Sequence, residues 1–244
     1  MTAISGAISR RTELSAKLAL VEERILASCR GAGRAREDIQ LIVVTKFFPG
    51  SDVELLCDLG VTDIGESRDQ EASAKVASLP RDVRERLHVH FIGQVQSNKA
   101  GSVAAYADTV HSVDREKLVV ALDRAASAEG RDVGALVQVS LDGGAGAAFA
   151  RGGIPVDGVA ELADCVAASH CLRLRGLMAV APQGADPAVA FATLARVARD
   201  LRGVHPRATW ISAGMSADLE PAIANGATHL RVGSAILGSR PLLR

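Results

Sequence analysis

The feature that most constrains the fold is a regular alternation of short apolar runs with helical patterns. The runs lie at 41–45 (LIVVT), 61–65 (VTDIG), 88–92 (HVHFI), 108–113 (DTVHSV), 135–141 (ALVQVSL), 172–178 (LRLRGLM), 208–212 (ATWIS) and 228–232 (THLRV). Between them, the spacing of apolar residues predicts helices at 51–59, 69–77, 114–128, 156–168, 187–201 and 216–224, with a shorter one after Ser97. A strand followed by a helix and another strand is the βαβ unit, and eight such units favour one closed parallel barrel over an open sheet. The chain has 244 residues, close to the roughly 250 of a (β/α)8 TIM barrel, so a single domain spanning 1–244 is expected. Ahead of the first strand, Ile8, Leu14, Leu18, Val21, Ile25 and Leu26 recur at helical spacing, which predicts an extra N-terminal helix over 1–31 packed on the barrel. The glycine-rich stretch 143–153 is expected to be a surface loop.

Charge argues against two classes of partner. Lys plus Arg and Asp plus Glu both number 28, and neither a nucleic-acid footprint nor a membrane-surface bias emerges. Aromatic residues make up 3% of the chain, which leaves little for base stacking. Cys29, Cys57, Cys165 and Cys171 match no zinc or redox spacing and read as reduced thiols. With no long apolar run and no secretory leader pattern, the expectation is a soluble, cytoplasmic protein, monomeric and independent of metal.

In a parallel barrel, functional groups collect at the C-terminal ends of the strands, and phosphate sites form after the seventh and eighth. Lys46 ends the first run, followed by Phe47, Phe48 and Pro49. A lysine leaving a buried strand is desolvated, which favours the free amine that reacts with an aldehyde. After the last two strands stand SAGMS (212–216) and GS (233–234). There the hydroxyls of Ser212 and Ser216 and the amides of Gly214, Met215, Gly233 and Ser234 are candidate phosphate donors. An amine and a phosphate cradle at one barrel mouth imply an aldehyde carrying a phosphate, and pyridoxal 5'-phosphate (PLP) is the commonest such cofactor. Arg231 shares a strand face with Gly233; it either faces the ring nitrogen or pairs with an acid such as Glu66. Glu66, Gly93, Gln94, Ser112 and Met178 are the remaining strand-end candidates. His88 and His90 share a face and are read as hydrogen-bonding groups, with no third metal ligand at suitable spacing. Asn98 and Lys99 cap a helix or touch the rim, and Tyr106, ahead of the fourth strand, is placed at the far end of the barrel.

Taken in order, VTK (44–46), IGESRDQEA (64–72), HFIGQVQSNK (90–99), VHSVD (110–114), RGLM (175–178), SAGMSADLEPAIANGAT (212–228) and RVGSAILGSR (231–240) resemble the pyridoxal phosphate homeostasis protein family. These proteins are similar to the N-terminal barrel of bacterial alanine racemase. The resemblance implies PLP held as a Schiff base on Lys46, with Ser212, Gly233 and Ser234 at the phosphate and Arg231 near the ring nitrogen. It further implies a non-catalytic carrier or regulator that binds PLP and other B6 vitamers and supplies apo PLP-dependent enzymes. Two positions depart from the family pattern: Ser67 stands where Asn is usual, and Ala213 where the strand-seven motif has its first Met. A PLP-dependent racemase needs a second acid/base, commonly a tyrosine, and a Schiff-base aldolase needs an acid/base pair beside the lysine. Both remain alternatives at this point, with Tyr106 and Glu66 as the only groups in view.

Overall fold

The computed structural model describes residues 2–142 and 152–239; most of the 143–153 loop lies outside them. Eight parallel strands close into a barrel in sequence order: β1 (Gln40–Val44), β2 (Asp63–Glu66), β3 (His88–Phe91), β4 (Thr109–Val113), β5 (Val133–Gln138), β6 (Leu172–Met178), β7 (Trp210–Ser212) and β8 (His229–Val232). Closure is made by β1 on β8, with Leu41 opposite Leu230 and Val43 opposite Val232. The helices are α1 (Thr2–Gly31), α2 (Gly50–Asp58), α3 (Asp69–Ser78), α4 (Arg81–Arg86), α5 (Ala100–Tyr106), α6 (Glu116–Ala128), α7 (Val159–Ala167), α8 (Pro187–Val204), α9 (Leu219–Ala224) and α10 (Ser234–Leu237). None of the described helices is long and apolar enough to cross a membrane.

This is the expected (β/α)8 barrel, with its extra N-terminal helix. Local bounds differ where tertiary packing decides them. Helix α6 opens at Glu116 with Arg115 in the capping position, so Asp114 is not its N-cap. Strand β7 keeps three residues of the expected five. The short α4, between Pro80 and β3, has no strong apolar period and went unforeseen.

Strand alternation divides the residues between two environments. Val43, Ile64, Val89, Phe91, Val110, Val137 and Leu177 point outward and join Leu56, Leu118, Leu122, Leu162 and Leu194 in the main core between sheet and helices. Ile42, Val44 and Ile92 point inward and meet over Gly65, where an added Cβ would lie 3.0 Å from Ile42 and 3.4 Å from Val44. Lower in the barrel the interior turns polar, with His88, His90 and His229 around Trp210 and His111 against His90.

Candidate cofactor site

Lys46 lies two residues beyond Val44, on the parity that faces the barrel interior, and is half-buried at the mouth. The turn that presents it is held from the outer side. Thr45 points outward, and its hydroxyl donates to Glu66 Oε1 at 2.7 Å. The ammonium of Lys75, in α3, donates to the Thr45 carbonyl at 2.8 Å, to Glu66 Oε1 at 2.7 Å and to Glu71 Oε1 at 3.1 Å. Phe47 has φ of 71°, a region costly for a residue with a Cβ; its amide donates to Glu71. The residue after Lys46 is thus pinned in an uncommon conformation by a buried ion-pair network. Burial pushes the Glu66 carboxyl above the usual range, while Lys75 draws it back. Glu66 is therefore neither the partner of Arg231 nor a group at the mouth: it faces the helices, and its partner is Lys75.

At the β7 and β8 ends, the sequence candidates divide between two roles. Arg231 is buried inside the barrel, where Nη1 donates to Ser212 Oγ at 2.7 Å and Nη2 to the Ala179 carbonyl at 2.9 Å. Desolvation lowers its pKa to about 10 against the pull of Asp218, and among the described residues no carboxylate reaches ion-pair distance of it. The Ser212 hydroxyl is committed to Arg231 and to His111 Nδ1 at 2.9 Å. Met215 likewise has its amide occupied, donating to Asp218 Oδ1 at 2.6 Å. Gly214 is required by backbone shape: φ is +91°, and a Cβ would lie 2.6 Å from that of Ala222. Ser212 and Met215 thus have their donors engaged within the turn, and Gly214 supplies its shape.

The donors that do converge are Ser216 and Ser234, whose hydroxyl oxygens are 3.4 Å apart across the two turns. Gly233 adjoins them: an added Cβ would lie 3.1 Å from the Val44 carbonyl, so the lack of a side chain keeps open the space beside the strand that leads to Lys46. Ser234 and Ala235 open α10, where first-turn amides have no intrahelical acceptor. Helix α1 reaches both turns. Arg24 donates to the Ser216 carbonyl at 3.1 Å while pairing with Glu220 at 2.7 Å, and Arg10 donates to the Leu237 carbonyl at 3.1 Å while pairing with Asp52 at 2.7 Å.

Other sequence candidates have structural partners. The Ser112 hydroxyl donates to the Gly93 carbonyl, and Gly93 packs so closely on the Ser67 backbone that a Cβ would fall 2.2 Å from its carbonyl oxygen. Met178 is buried in the barrel, and Lys99, ending the turn that contains Asn98, lies 3.8 Å from Asp69. Tyr106 closes α5 outside the barrel wall: its ring meets Phe91, and its hydroxyl points back to Asp69, 3.5 Å away at the start of α3. Burial pushes this phenol well up in pKa. His88 bonds to Thr109, and His90 to Asp63 and His111. Lys75, Glu71, Asp63 and His111 were not singled out from sequence, although strand parity marks Asp63 and His111 as inward-facing.

A family model described as alanine racemase, N-terminal domain, matches residues 34–241. The pyridoxal phosphate homeostasis protein of Mycobacterium tuberculosis is 42% identical, over 98% of this chain and 97% of its own length. That of Escherichia coli is 33% identical, over 93% and 97%. The chain belongs to the pyridoxal phosphate homeostasis protein family. Among solved structures, PipY of Synechococcus elongatus with PLP bound superposes with a TM-score of 0.74 at 32% identity, covering 89% of this chain and all of that one. The family match runs from the end of α1 through β8 and α10, so the lysine turn and both C-terminal turns fall within it.

Proposed function

We propose that this chain, acting as one domain and as a monomer in the cytoplasm, binds PLP on Lys46 and serves in PLP homeostasis, buffering the cofactor and supplying it to apoenzymes. The observation that carries this reading is the convergence at one mouth of a half-buried primary amine, two hydroxyls 3.4 Å apart and a buried guanidinium with only neutral partners. That set complements an aldehyde, a phosphate and a heteroaromatic acceptor nitrogen. PLP supplies an electrophilic aldehyde to which a primary amine adds reversibly. Lys46 offers that amine, and the clamp from Lys75 and Glu71 fixes the turn that carries it. Ser216, Gly233 and Ser234 would take the phosphate, and Arg231 would donate to the ring nitrogen.

Two features favour carriage over turnover. A guanidinium only donates, so it leaves a facing pyridine nitrogen unprotonated and the ring a weak electron sink. The one tyrosine of the chain lies outside the barrel wall against Asp69, away from the mouth, and Glu66 is tied to Lys75. PLP-loaded protein should racemise or cleave amino acids more slowly than about 1 s⁻¹, the low end of ordinary enzymes, and should restore activity to a PLP-free enzyme. Faster turnover would favour the racemase or aldolase alternative.

A further inference from the structure

The buried polar groups inside the barrel form one continuous line. Arg231 Nη1 lies 2.7 Å from Ser212 Oγ, and that oxygen is 2.9 Å from His111 Nδ1. His111 Nε2 is 2.8 Å from His90 Nδ1, and His90 Nε2 is 2.8 Å from Asp63 Oδ1. Its ends fix its direction. A guanidinium can only donate, and an ionised carboxylate can only accept. At the foot, Asp63 Oδ2 also receives the Thr62 hydroxyl and the Gln40 amide. Burial opposes the Asp63 charge, yet the hydrogen bonds from His90 and Thr62 hold its pKa below the usual value. Ser212 accepts from Arg231, and because a neutral His90 that donates to Asp63 can only accept from His111, the Ser212 proton goes to His111 Nδ1. His111 must then carry its proton on Nε2 and pass it toward His90 Nδ1, and His90 must carry its proton on Nε2 for Asp63. Every link uses one proton and one lone pair, with both imidazoles neutral. The adjoining rings stand outside the line: His88 bonds to Thr109, and His229 to Thr228.

We infer that Asp63, His90, His111 and Ser212 are positioning residues that form a one-way hydrogen-bond relay through the barrel and fix the orientation of Arg231 at the mouth. The relay joins a cation buried at one end to an anion at the other. Because the one lone pair of each imidazole is used within it, the line offers no free ring nitrogen to receive a proton from a ligand at the mouth. It selects a ligand that presents a bare acceptor nitrogen to Arg231. This selectivity rests on the placement of PLP proposed above; the relay itself does not.

Long-range ¹H–¹⁵N spectra of the ligand-free protein at neutral pH test the relay directly. Both His90 and His111 should be neutral with the proton on Nε2, and an imidazolium or an Nδ1–H form at either would overturn the inference. The effect on the site is read with His111→Leu, which cuts the line, and His111→Asn, which keeps an acceptor toward Ser212. His111→Leu should weaken PLP binding about tenfold and displace the absorption band of the bound chromophore, with His111→Asn staying close to the parent in both. Equal effects of the two variants, or none, would contradict a positioning role. Should His111→Leu fail to fold, the tautomers and the Asn variant decide. Absence of PLP binding by the parent would refute the proposed function while leaving the tautomer result intact as the measure of the relay.

Discussion

The ammonium of Lys75 lies 2.8 Å from the carbonyl oxygen of Thr45, the residue immediately before the lysine proposed to hold PLP. Because the same ammonium compensates the buried Glu66, its removal strands a charge. Lys75→Met should cost about 3–5 kcal/mol of stability and slow PLP capture by Lys46. Adding Glu66→Gln should recover much of the stability but not the capture rate, since the Thr45 carbonyl stays unclamped. Urea unfolding and stopped-flow absorbance measure the two separately; a loss below about 1 kcal/mol in the single variant would show that the clamp is dispensable.

The two C-terminal turns make opposite demands on their glycines. Gly233→Val should greatly weaken PLP retention, because its side chain fills the space beside Val44, whereas Ser67→Asn should change it little. Gly214→Ala should act on the fold instead, costing about 1–3 kcal/mol for a positive φ and a crowded Cβ. Equilibrium dialysis beside thermal unfolding distinguishes these effects, and equal losses of PLP from Gly233→Val and Ser67→Asn would place the phosphate elsewhere.

Helix α1 offers a more distant handle. Arg24→Ala removes the hydrogen bond to the Ser216 carbonyl and an exposed pair with Glu220, so stability should change by at most about 1 kcal/mol. PLP affinity should nonetheless fall severalfold as the turn loosens. An unchanged affinity would make α1 a covering helix only.

Acid should destabilise the barrel through its buried histidines. Burial, aided by His90, depresses His229 from the ordinary 6.5 to about 3, and burial drives His111 well below 6.5. The unfolded chain protonates these rings near pH 6.5 while the folded one does not. The His229 contribution is therefore complete above about 6.5 and lost as pH falls toward about 3, at about 1.4 kcal/mol per pH unit, and His111 adds a loss of the same sign. Denaturant midpoints across that range check the sign; stability that rises on acidification from pH 6.5 to 5 would reverse it.

The barrel was legible in the sequence because alternating βα patterns are local, and so was the shared face of Arg231 and Gly233. The partners of these groups were not. Glu66 looked available to Arg231 until Gly65 proved to be the inward residue of β2, which turns Glu66 toward α3. Lys75 reads in sequence as an ordinary helix lysine, and only the docking of α3 on β1 and β2 buries it. Ser212 and Met215 seemed as free to bind phosphate as Ser216, since Arg231, His111 and Asp218 engage them only after the chain has folded.

The central claim is that Lys46 holds PLP, and borohydride reduction of the PLP-loaded protein followed by peptide mapping tests it most directly. The account predicts one dominant pyridoxyl adduct on Lys46, abolished in a folded Lys46→Ala variant. An adduct found mainly on Lys75, Lys99 or Lys117 would contradict it.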